Sequence, residues 1–331
     1  MAQLRIGTCS WKFPSWVGLV YSTPEGAPED PSELPEDAPL FAPLREEQET
    51  YEAAKQANYL VEYAQQYDTV EIDQWFWSLF GPDSIGLPEH DDVMAYKRAV
   101  GDDFRFTVKA PNSVTLTHFY EKAPDGSLRP NPYFLSVKLF KAFLNRLAPL
   151  GPLLGPIMFQ FEYLNKQKMP TQARFQALFG DFVRAIPREL RRDSGRPVTY
   201  GLEVRNPQYI NAPYFQFLEA FDLIPVLIQG YWMPDLRELY AQWREEILHH
   251  PTVVIRLMGP DRKAIEKLAP TGWHKIVLPK DDELPGIVDV IKDILAGGTN
   301  VYVNVNNHYE GSSPLTIEKL RAMLGVVETG E

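Results

Sequence analysis

Eight short apolar segments rich in β-branched residues recur along the chain, and sequence with helical periodicity separates most of them. The segments are residues 4–10, 69–73, 105–110, 156–162, 198–204, 224–229, 253–259 and 301–307. The predicted helices are 47–67, 132–147, 170–186, 213–221, 234–248, 283–297 and 314–324. Several begin with the proline or acidic signals typical of a helix N-terminus. This alternation predicts a (β/α)8 barrel of the TIM-barrel type.

An open doubly wound sheet is the competing architecture. It is not favoured, because no G-x-G-x-x-G or P-loop motif follows any predicted strand.

One stretch, 22–47, is rich in proline and acidic residues and lacks apolar periodicity. We interpret it as a long insertion after the first strand, a solvated excursion rather than a substrate lid. The chain, 1–331, is otherwise expected to form a single domain.

Charge and composition restrict the class of protein. No apolar run reaches the roughly 18 residues of a membrane-spanning helix, and the N-terminus lacks the features of a signal peptide. We therefore expect a cytoplasmic protein without a membrane partner. The formal net charge of −11 disfavours nucleic acid as a partner. A single cysteine, Cys9, excludes an internal disulfide and a cysteine-based metal cluster. No cofactor is predicted, and the oligomeric state stays open.

The last predicted strand, within NVYVNVNNHYEG, has an unusual polar face. If Val301, Val303 and Val305 face the helices, then the residues between them, including Asn304 and Asn306, point into the barrel. A buried amide without a partner costs on the order of 1 to 3 kcal/mol. The lumen should therefore hold complementary polar groups or a ligand.

Other predicted strands carry such groups near their C-terminal ends, where barrel enzymes place their chemistry. Side chains two residues apart share one face of a strand. The candidates are Glu71, Asp73, Lys109, Gln160, Glu162, Glu203, Arg205, Gln229 and Arg256. These side chains predict a polar pocket at the C-terminal end of the barrel.

Several sequence blocks together resemble the YecE-like family, also known as domain of unknown function 72. The blocks are IGTCSWKFPSWVGLVYS, YAQQYDTVEIDQWFW, FRFTVKAP with Thr117 and His118 after it, LGPIMFQF, LEVRNPQY, VIRLMG and VNVNNHYEG. The resemblance covers nearly the whole chain and implies a TIM-barrel-like fold. It implies no settled activity.

Matching positions in these blocks single out a set of residues. They are Gly7, Trp11, Trp16, Glu71, Lys109, His118, Gln160, Glu203, Arg205, Arg256, Asn306, Asn307 and Gly311. The chain departs from the family pattern in three places. Asp73 stands where Asn is usual, Glu162 and Tyr163 replace a proline pair, and Asn206 and Tyr209 stand where His and Trp are common.

We expect an enzyme, a hydrolase, lyase or isomerase, that acts on a small anionic ligand such as a phosphorylated or carboxylated metabolite. Glu71 and Glu203 are the predicted catalytic residues, because carboxylates on separate strands can converge as general acid and base. The predicted substrate-binding residues are Trp11, Asp73, Lys109, His118, Gln160, Arg205, Arg256, Asn306, Asn307 and His308. Among them, the cations Lys109, Arg205 and Arg256 would hold the anion.

Two alternatives remain open at this point. A metal-dependent phosphodiesterase or endonuclease-like barrel would use Glu71, Asp73, Glu203, His118 and His308 as ligands. No H-x-H or H-E-x-x-H spacing supports it, so no metal site is predicted. The second alternative is a non-catalytic binding or scaffold protein, in which the polar residues form structural ion pairs.

Overall fold

The computed structural model describes residues 2–22, 59–81, 83–189, 197–259 and 261–325. The predicted insertion, 22–47, lies outside the described residues from position 23 onward. Of the predicted helix 47–67, the described part shows helix over 59–66.

Eight parallel strands form a closed barrel. They are β1 (Leu4–Cys9), β2 (Thr69–Ile72), β3 (Arg105–Lys109), β4 (Leu154–Gln160), β5 (Tyr200–Glu203), β6 (Leu223–Gly230), β7 (Thr252–Gly259) and β8 (Asn300–Val305). Each strand pairs with its neighbours in the sequence, and β8 closes the barrel against β1. The predicted (β/α)8 fold is confirmed, and every predicted strand segment overlaps one of these strands.

Helices connect the strands on the outside. They are α1 (59–66), α2 (His90–Ala99), α3 (Asn112–Thr115), α4 (Val137–Leu147), α5 (Gln172–Ala185), α6 (Ala212–Ala220), α7 (Leu236–Leu248), α8 (Arg262–Leu268), α9 (Leu284–Ala296) and α10 (Ser313–Leu324). Their starts follow the sequence signals, since the side chains of Thr171, Asn211 and Asp235 each accept a hydrogen bond from a first-turn backbone N–H.

The sequence analysis missed α2, which buries only Val93 and Tyr96 and therefore has a weak apolar pattern. It also missed the short helices α3 and α8 and a small hairpin of Leu79–Gly81 with Ser84–Ile85. Short 3-10 turns follow β1, β2 and β5 at Pro14–Trp16, Gln74–Phe76 and Pro207–Tyr209. These turns lie at the C-terminal end of the barrel.

The two faces of β8 differ as its alternation predicts. Val301, Val303 and Val305 are buried in the main apolar core beneath the helices. Tyr302 packs inside the barrel, where its neighbours are Met158, Ile224, Val226 and Val254. An apolar layer therefore fills the lumen between the polar groups near its C-terminal end and Arg5 at its N-terminal end, which bonds to Asp68 and Asp103.

Gly7 allows β1 to approach β2 closely, because a Cβ at this position would lie 1.9 Å from the backbone oxygen of Thr69. Within the described residues, no helix combines the length and apolar character needed to cross a bilayer.

Candidate active site

A buried arginine organises the polar half of the lumen. Arg256 on β7 is 1% exposed, and its Nη2 and Nε donate to the two carboxylate oxygens of Glu71 on β2, at 2.6 and 2.9 Å. Its Nη1 donates to Oε2 of Glu203 on β5 and, at 3.0 Å, to Oε1 of Gln160 on β4. Both glutamates are fully buried. The two predicted catalytic carboxylates and one predicted anion-binding cation therefore bind one another.

Further donors complete the environment of Glu71. Nδ2 of Asn304 donates to Glu71 Oε2 at 3.1 Å and to Thr107 Oγ1 at 3.0 Å. The thiol of Cys9 lies 3.7 Å from the same Glu71 oxygen. The Nδ2 group of Asn304 thus finds its acceptors within the barrel, whereas its buried Oδ1 has no donor among the described residues. We call Glu71, Glu203, Arg256, Gln160 and Asn304 the inner network.

Electrostatics favour the charged forms of Glu203 and Arg256. Burial alone would raise the pKa of Glu203, but the positive charges of Arg256, Arg205 and Lys109 outweigh it and hold that pKa below its usual value. Burial opposes the charge of Arg256 as well, yet Glu203 and Glu71 raise its pKa well above the ordinary value. Burial and the nearby Glu71 carboxylate raise the pKa of Cys9, so its thiol stays protonated.

A cavity of about 520 Å³ opens above the inner network at the C-terminal end of the barrel. Lys109, at the end of β3, points its ammonium over the ring of Phe76, with Nζ 4.0 Å from the ring centroid. In the part of the chain that the structure describes, its Nζ has no hydrogen-bond acceptor and no ion-pair partner. Burial and then the charge of Arg256 lower the pKa of Lys109.

Asp73 lines the same cavity, two residues beyond Glu71. No ion pair with another described residue holds its carboxylate. Burial raises the pKa of Asp73, although the positive charge of Lys109 opposes the increase. The pKa values of Lys109 and Asp73 are therefore both displaced towards neutrality.

Three further polar side chains border the cavity. Arg205 donates through Nε to Glu203 Oε1 at 3.1 Å, and its guanidinium stacks on Tyr231, 4.7 Å from the ring centroid. Asn307 accepts hydrogen bonds from the backbone and hydroxyl of Ser313, which leaves its buried Nδ2 without an acceptor among the described residues. Asn306 accepts from the backbone N–H of His308.

The structure brings most of the predicted site residues together. Those that line the cavity are Glu71, Asp73, Lys109, Gln160, Arg205, Arg256, Asn306, Asn307 and His308. Glu203 joins them through its bonds with Arg256 and Arg205. His308 is displaced towards its neutral form, because burial and then the charge of Arg262 lower its pKa.

Two predicted substrate-binding residues lie away from the cavity wall. Trp11 is 1% exposed and packs edge-on against Tyr96, with 4.9 Å between the ring centroids, so it belongs to the core. His118 lies in the loop after α3, where its Nδ1 is 2.9 Å from Thr117 Oγ1. Neither side chain forms part of the cavity wall.

Several aromatic residues of the cavity wall were not predicted from the sequence, notably Tyr120, Tyr231 and Trp273. Tyr231 follows Gly230 at the end of β6, and both have positive φ angles, 52° and 122°. Such a backbone is rare for tyrosine and is found at binding sites more often than elsewhere. The Gly-Tyr pair directly after an apolar strand was the sequence feature that could have indicated a residue of the cavity wall.

A metal centre has little support from the side-chain arrangement. Within the described ranges, no group of three or more His, Cys, Asp or Glu side chains could hold a metal ion. Of the ligands that the metal-dependent alternative requires, His118 lies outside the cavity, and Glu71 and Glu203 are bonded to Arg256.

Comparisons with known proteins agree with this architecture. The model of the family described as "Protein of unknown function DUF72" matches residues 43–330. A DUF72 family protein from Enterococcus faecalis has a similar structure, with a TM-score of 0.61, 16% identity and coverage of 98% of this chain and 96% of that chain. One from Thermotoga maritima has a TM-score of 0.60 and 16% identity, and covers 98% of this chain and 99% of its own.

No curated protein matches the sequence significantly. At 16% identity the solved structures establish the fold alone. The family model, in contrast, spans most of the chain and agrees with the sequence blocks noted above. The chain therefore belongs to the DUF72 family, which is the YecE-like family that those blocks indicate.

Proposed function

We propose that this protein is an enzyme that binds a small anionic metabolite, phosphorylated or carboxylated, in the cavity at the C-terminal end of the barrel. The observation that carries the proposal is Lys109. It is a largely buried ammonium group in a cavity wall, and it has no acceptor among the described residues. A buried charge without a partner is costly, so an anionic ligand is its natural complement.

Charge balance supports an anion at this position. The carboxylates of Glu71 and Glu203 are matched by Arg256 and Arg205, which bind them directly. After these pairs are formed, the ammonium of Lys109 is left without a carboxylate bonded to it among the described residues, and burial raises the pKa of the nearby Asp73. A phosphate or carboxylate group of a ligand would supply the acceptor that Lys109 lacks.

Other donors are positioned to bind the same ligand. The two Nη groups of Arg205 donate to no acceptor within the described chain, and the Arg205 side chain is 26% exposed. Nδ2 of Asn307 is equally free of an acceptor there. Arginine and amide N–H groups bind anionic oxygens well in a partly desolvated site.

In this enzyme, Asp73 and Lys109 rather than Glu71 and Glu203 would transfer protons. Glu71 and Glu203 are fully buried and bonded to Arg256, so protonating either would disrupt an ion pair. Asp73 and Lys109 face the cavity with pKa values displaced towards neutrality, the range in which general acids and bases work best. Proton abstraction and return, as in an isomerase or lyase, fits this pair.

The test is a calorimetric titration with inorganic phosphate. The proteins titrated are wild type, Lys109→Met and Lys12→Met. Lys12 is the matched control, since it is a partly buried lysine at the same end of the barrel that does not line the cavity. Loss of a charge-assisted bond of about 1.5 to 3 kcal/mol predicts phosphate affinity at least tenfold lower in Lys109→Met and unchanged in Lys12→Met. Equal affinity in all three proteins would refute the anion site.

Catalysis is tested separately with a panel of phosphorylated and carboxylated metabolites. We expect turnover of at least one by the wild type, and a loss of 100-fold or more in kcat for Asp73→Asn, about what a general acid or base contributes. Phosphate binding without turnover of any panel member would favour the non-catalytic binding protein.

A further inference from the structure

A second depression adjoins the cavity at the barrel mouth. Its volume is about 880 Å³, and it shares Glu162, Arg205, Tyr231 and Arg262 with the cavity wall. We call this depression the mouth groove. Because Arg205 and Tyr231 form part of both walls, a ligand in the cavity would extend directly into the groove.

The mouth groove has exposed aromatic surfaces. The side chain of Trp232 is 83% exposed and that of Tyr163 is 55% exposed, and both line the groove. A single exposed aromatic side chain is common, but two that line one depression beside a cavity indicate a binding surface. Their flat faces suit a ring.

Polar side chains surround these aromatic faces. They are Glu162, Arg205, Gln208, Asp261, Arg262 and Lys263. Oε2 of Glu162 accepts from Lys168 at 2.6 Å, whereas its Oε1 is buried and meets no donor in the described chain. A buried carboxylate oxygen without a donor is unfavourable. The Glu162 side chain borders the groove, so a small shift of its carboxylate would let Oε1 accept from a ligand hydroxyl.

We propose that the mouth groove binds a sugar ring, so that the substrate of the cavity is a sugar phosphate or sugar acid. A pyranose ring has an apolar C–H face that packs on an aromatic side chain, and hydroxyls at its edge that bind carboxylates, amides and guanidinium groups. A plain aromatic ring would use Trp232 and Tyr163 but leave Glu162 Oε1 without a donor. The sugar assignment rests on the proposed function, which supplies the anionic group of the ligand.

The test compares the binding of four kinds of probe by calorimetry. The probes are inorganic phosphate, phenyl phosphate, a panel of hexose 1- and 6-phosphates, and the neutral methyl hexopyranosides. The proteins are wild type, Trp232→Ala, and Phe80→Ala as the matched control. Phe80 is 70% exposed on the small hairpin and lines neither the cavity nor the groove.

We expect at least one hexose phosphate to bind at least tenfold more tightly than inorganic phosphate, and more tightly than phenyl phosphate. Trp232→Ala should lower that affinity about tenfold, and Phe80→Ala should not change it. Neither substitution should alter the affinity for inorganic phosphate, since Lys109 is intact.

Three results would overturn or separate the proposals. If phenyl phosphate binds most tightly and Trp232→Ala removes its advantage, the groove takes an aromatic ring and the sugar assignment is wrong. If inorganic phosphate binds but no organic phosphate binds more tightly, the groove is not a subsite, while the anion site stands. If no phosphate binds, the proposed function fails, and the methyl hexopyranosides then test the sugar assignment of the groove alone. Binding of a methyl hexopyranoside that Trp232→Ala removes would support the sugar assignment. Absence of such binding would refute it.

Discussion

The inner network and the cavity above it are built from the same strands, yet their charged groups behave differently. Glu71 and Thr107 are register partners on β2 and β3, and Asn304 and Arg256 are register partners on β8 and β7. At this level each charged group has partners within the barrel. Two residues further along β3, Lys109 has neither a hydrogen-bond acceptor nor an ion-pair partner among the described residues, and its ammonium contacts only the ring of Phe76.

Two residues along a strand correspond to about 6 to 7 Å and return the side chain to the same face. That step separates Thr107 from Lys109 on β3, whereas Asp73 comes two residues after Glu71 in the turn that follows β2. The deeper member of each pair is bonded within the barrel, and the member nearer the mouth faces the cavity. The role of a polar residue in this lumen therefore depends on its depth. The deeper residues stabilise the fold, and those nearer the mouth are available to a ligand.

The largest expected effect is that of Arg256→Met, which removes the cation shared by two buried carboxylates. Leaving such charges unpaired costs about 3 to 5 kcal/mol. The free energy of unfolding, measured with urea at pH 7, should fall by that amount. Arg262→Met is the control, since its ion pair with Glu266 is exposed and should contribute at most about 1 kcal/mol.

The cause of that loss can be checked with a triple variant. Arg256→Met combined with Glu71→Gln and Glu203→Gln removes all three charges, and part of the lost stability should return. If Arg256→Met costs less than about 1 kcal/mol, the inner network does not stabilise the fold, and Arg256 would become a candidate for binding the ligand.

The next effect compares two asparagines of one polar face. Asn304 Nδ2 donates to Glu71 and Thr107, both buried, so Asn304→Ala should lower the free energy of unfolding by about 1 to 3 kcal/mol. Asn306 makes a local bond to the backbone of His308 at the mouth, and Asn306→Ala should cost about 0.5 to 1.5 kcal/mol. Urea unfolding of both variants measures the difference. Equal losses would mean that depth does not distinguish their roles.

The sequence predicts the barrel well because apolar residues recur along it with the periods of strands and helices. Strand segments with buried outer faces, such as the alternation of Val301, Val303 and Val305, specify which side chains enter the lumen. The same alternation puts Asn304 inside and places polar groups such as Glu71 and Lys109 near the C-terminal ends of their strands. Depth along each strand and side-chain direction follow from these local patterns.

The roles within the site do not follow from periodicity. Whether Arg256 binds a ligand or two glutamates depends on strand register and on which side chains meet across the lumen, 185 and 53 residues apart in sequence. Trp11 belongs to a conspicuous sequence block, but its ring packs against Tyr96, an α2 residue that the weak apolar pattern of that helix concealed. Long-range packing therefore decided which candidates face the cavity.

A smaller effect concerns the pH dependence of Lys109→Met. Burial lowers the pKa of Lys109 in the folded protein below the 10.5 of an ordinary lysine. The unfolded chain then holds this proton more tightly, so Lys109 destabilises the fold at neutral pH. This penalty disappears as pH rises from the lowered pKa towards the ordinary value. Lys109→Met should accordingly be more stable than the wild type at pH 7, with the difference shrinking at alkaline pH.

Urea unfolding between pH 7 and 10.5 measures that difference, and the exposed Lys138→Met serves as the control. A Lys109→Met variant that is less stable than the wild type at pH 7 would mean that the ammonium has a structural partner. Lys109 would then be bonded within the barrel like the residues of the inner network, and depth would no longer separate structural residues from ligand-binding ones.

The smallest expected effect is that of Asp73→Asn, and its sign separates the two levels of the lumen. Burial raises the pKa of Asp73 in the folded protein, so its contribution to stability is present at low pH and is lost as pH rises through the raised value. Asparagine resembles the protonated carboxyl, and Asp73→Asn should therefore be slightly more stable than the wild type at pH 7, by about 0.5 kcal/mol.

The pKa of Glu203, in contrast, is lowered, so its contribution to stability is present above about pH 4.5 and is lost as pH falls through the lowered value. Glu203→Gln should accordingly be less stable than the wild type at pH 7, and the difference should shrink in acid. Unfolding curves between pH 3 and 7 for the two variants must therefore differ from the wild type in opposite directions at pH 7. Differences of the same sign would show that both carboxylates belong to one structural network, and Asp73 would no longer be a candidate for proton transfer.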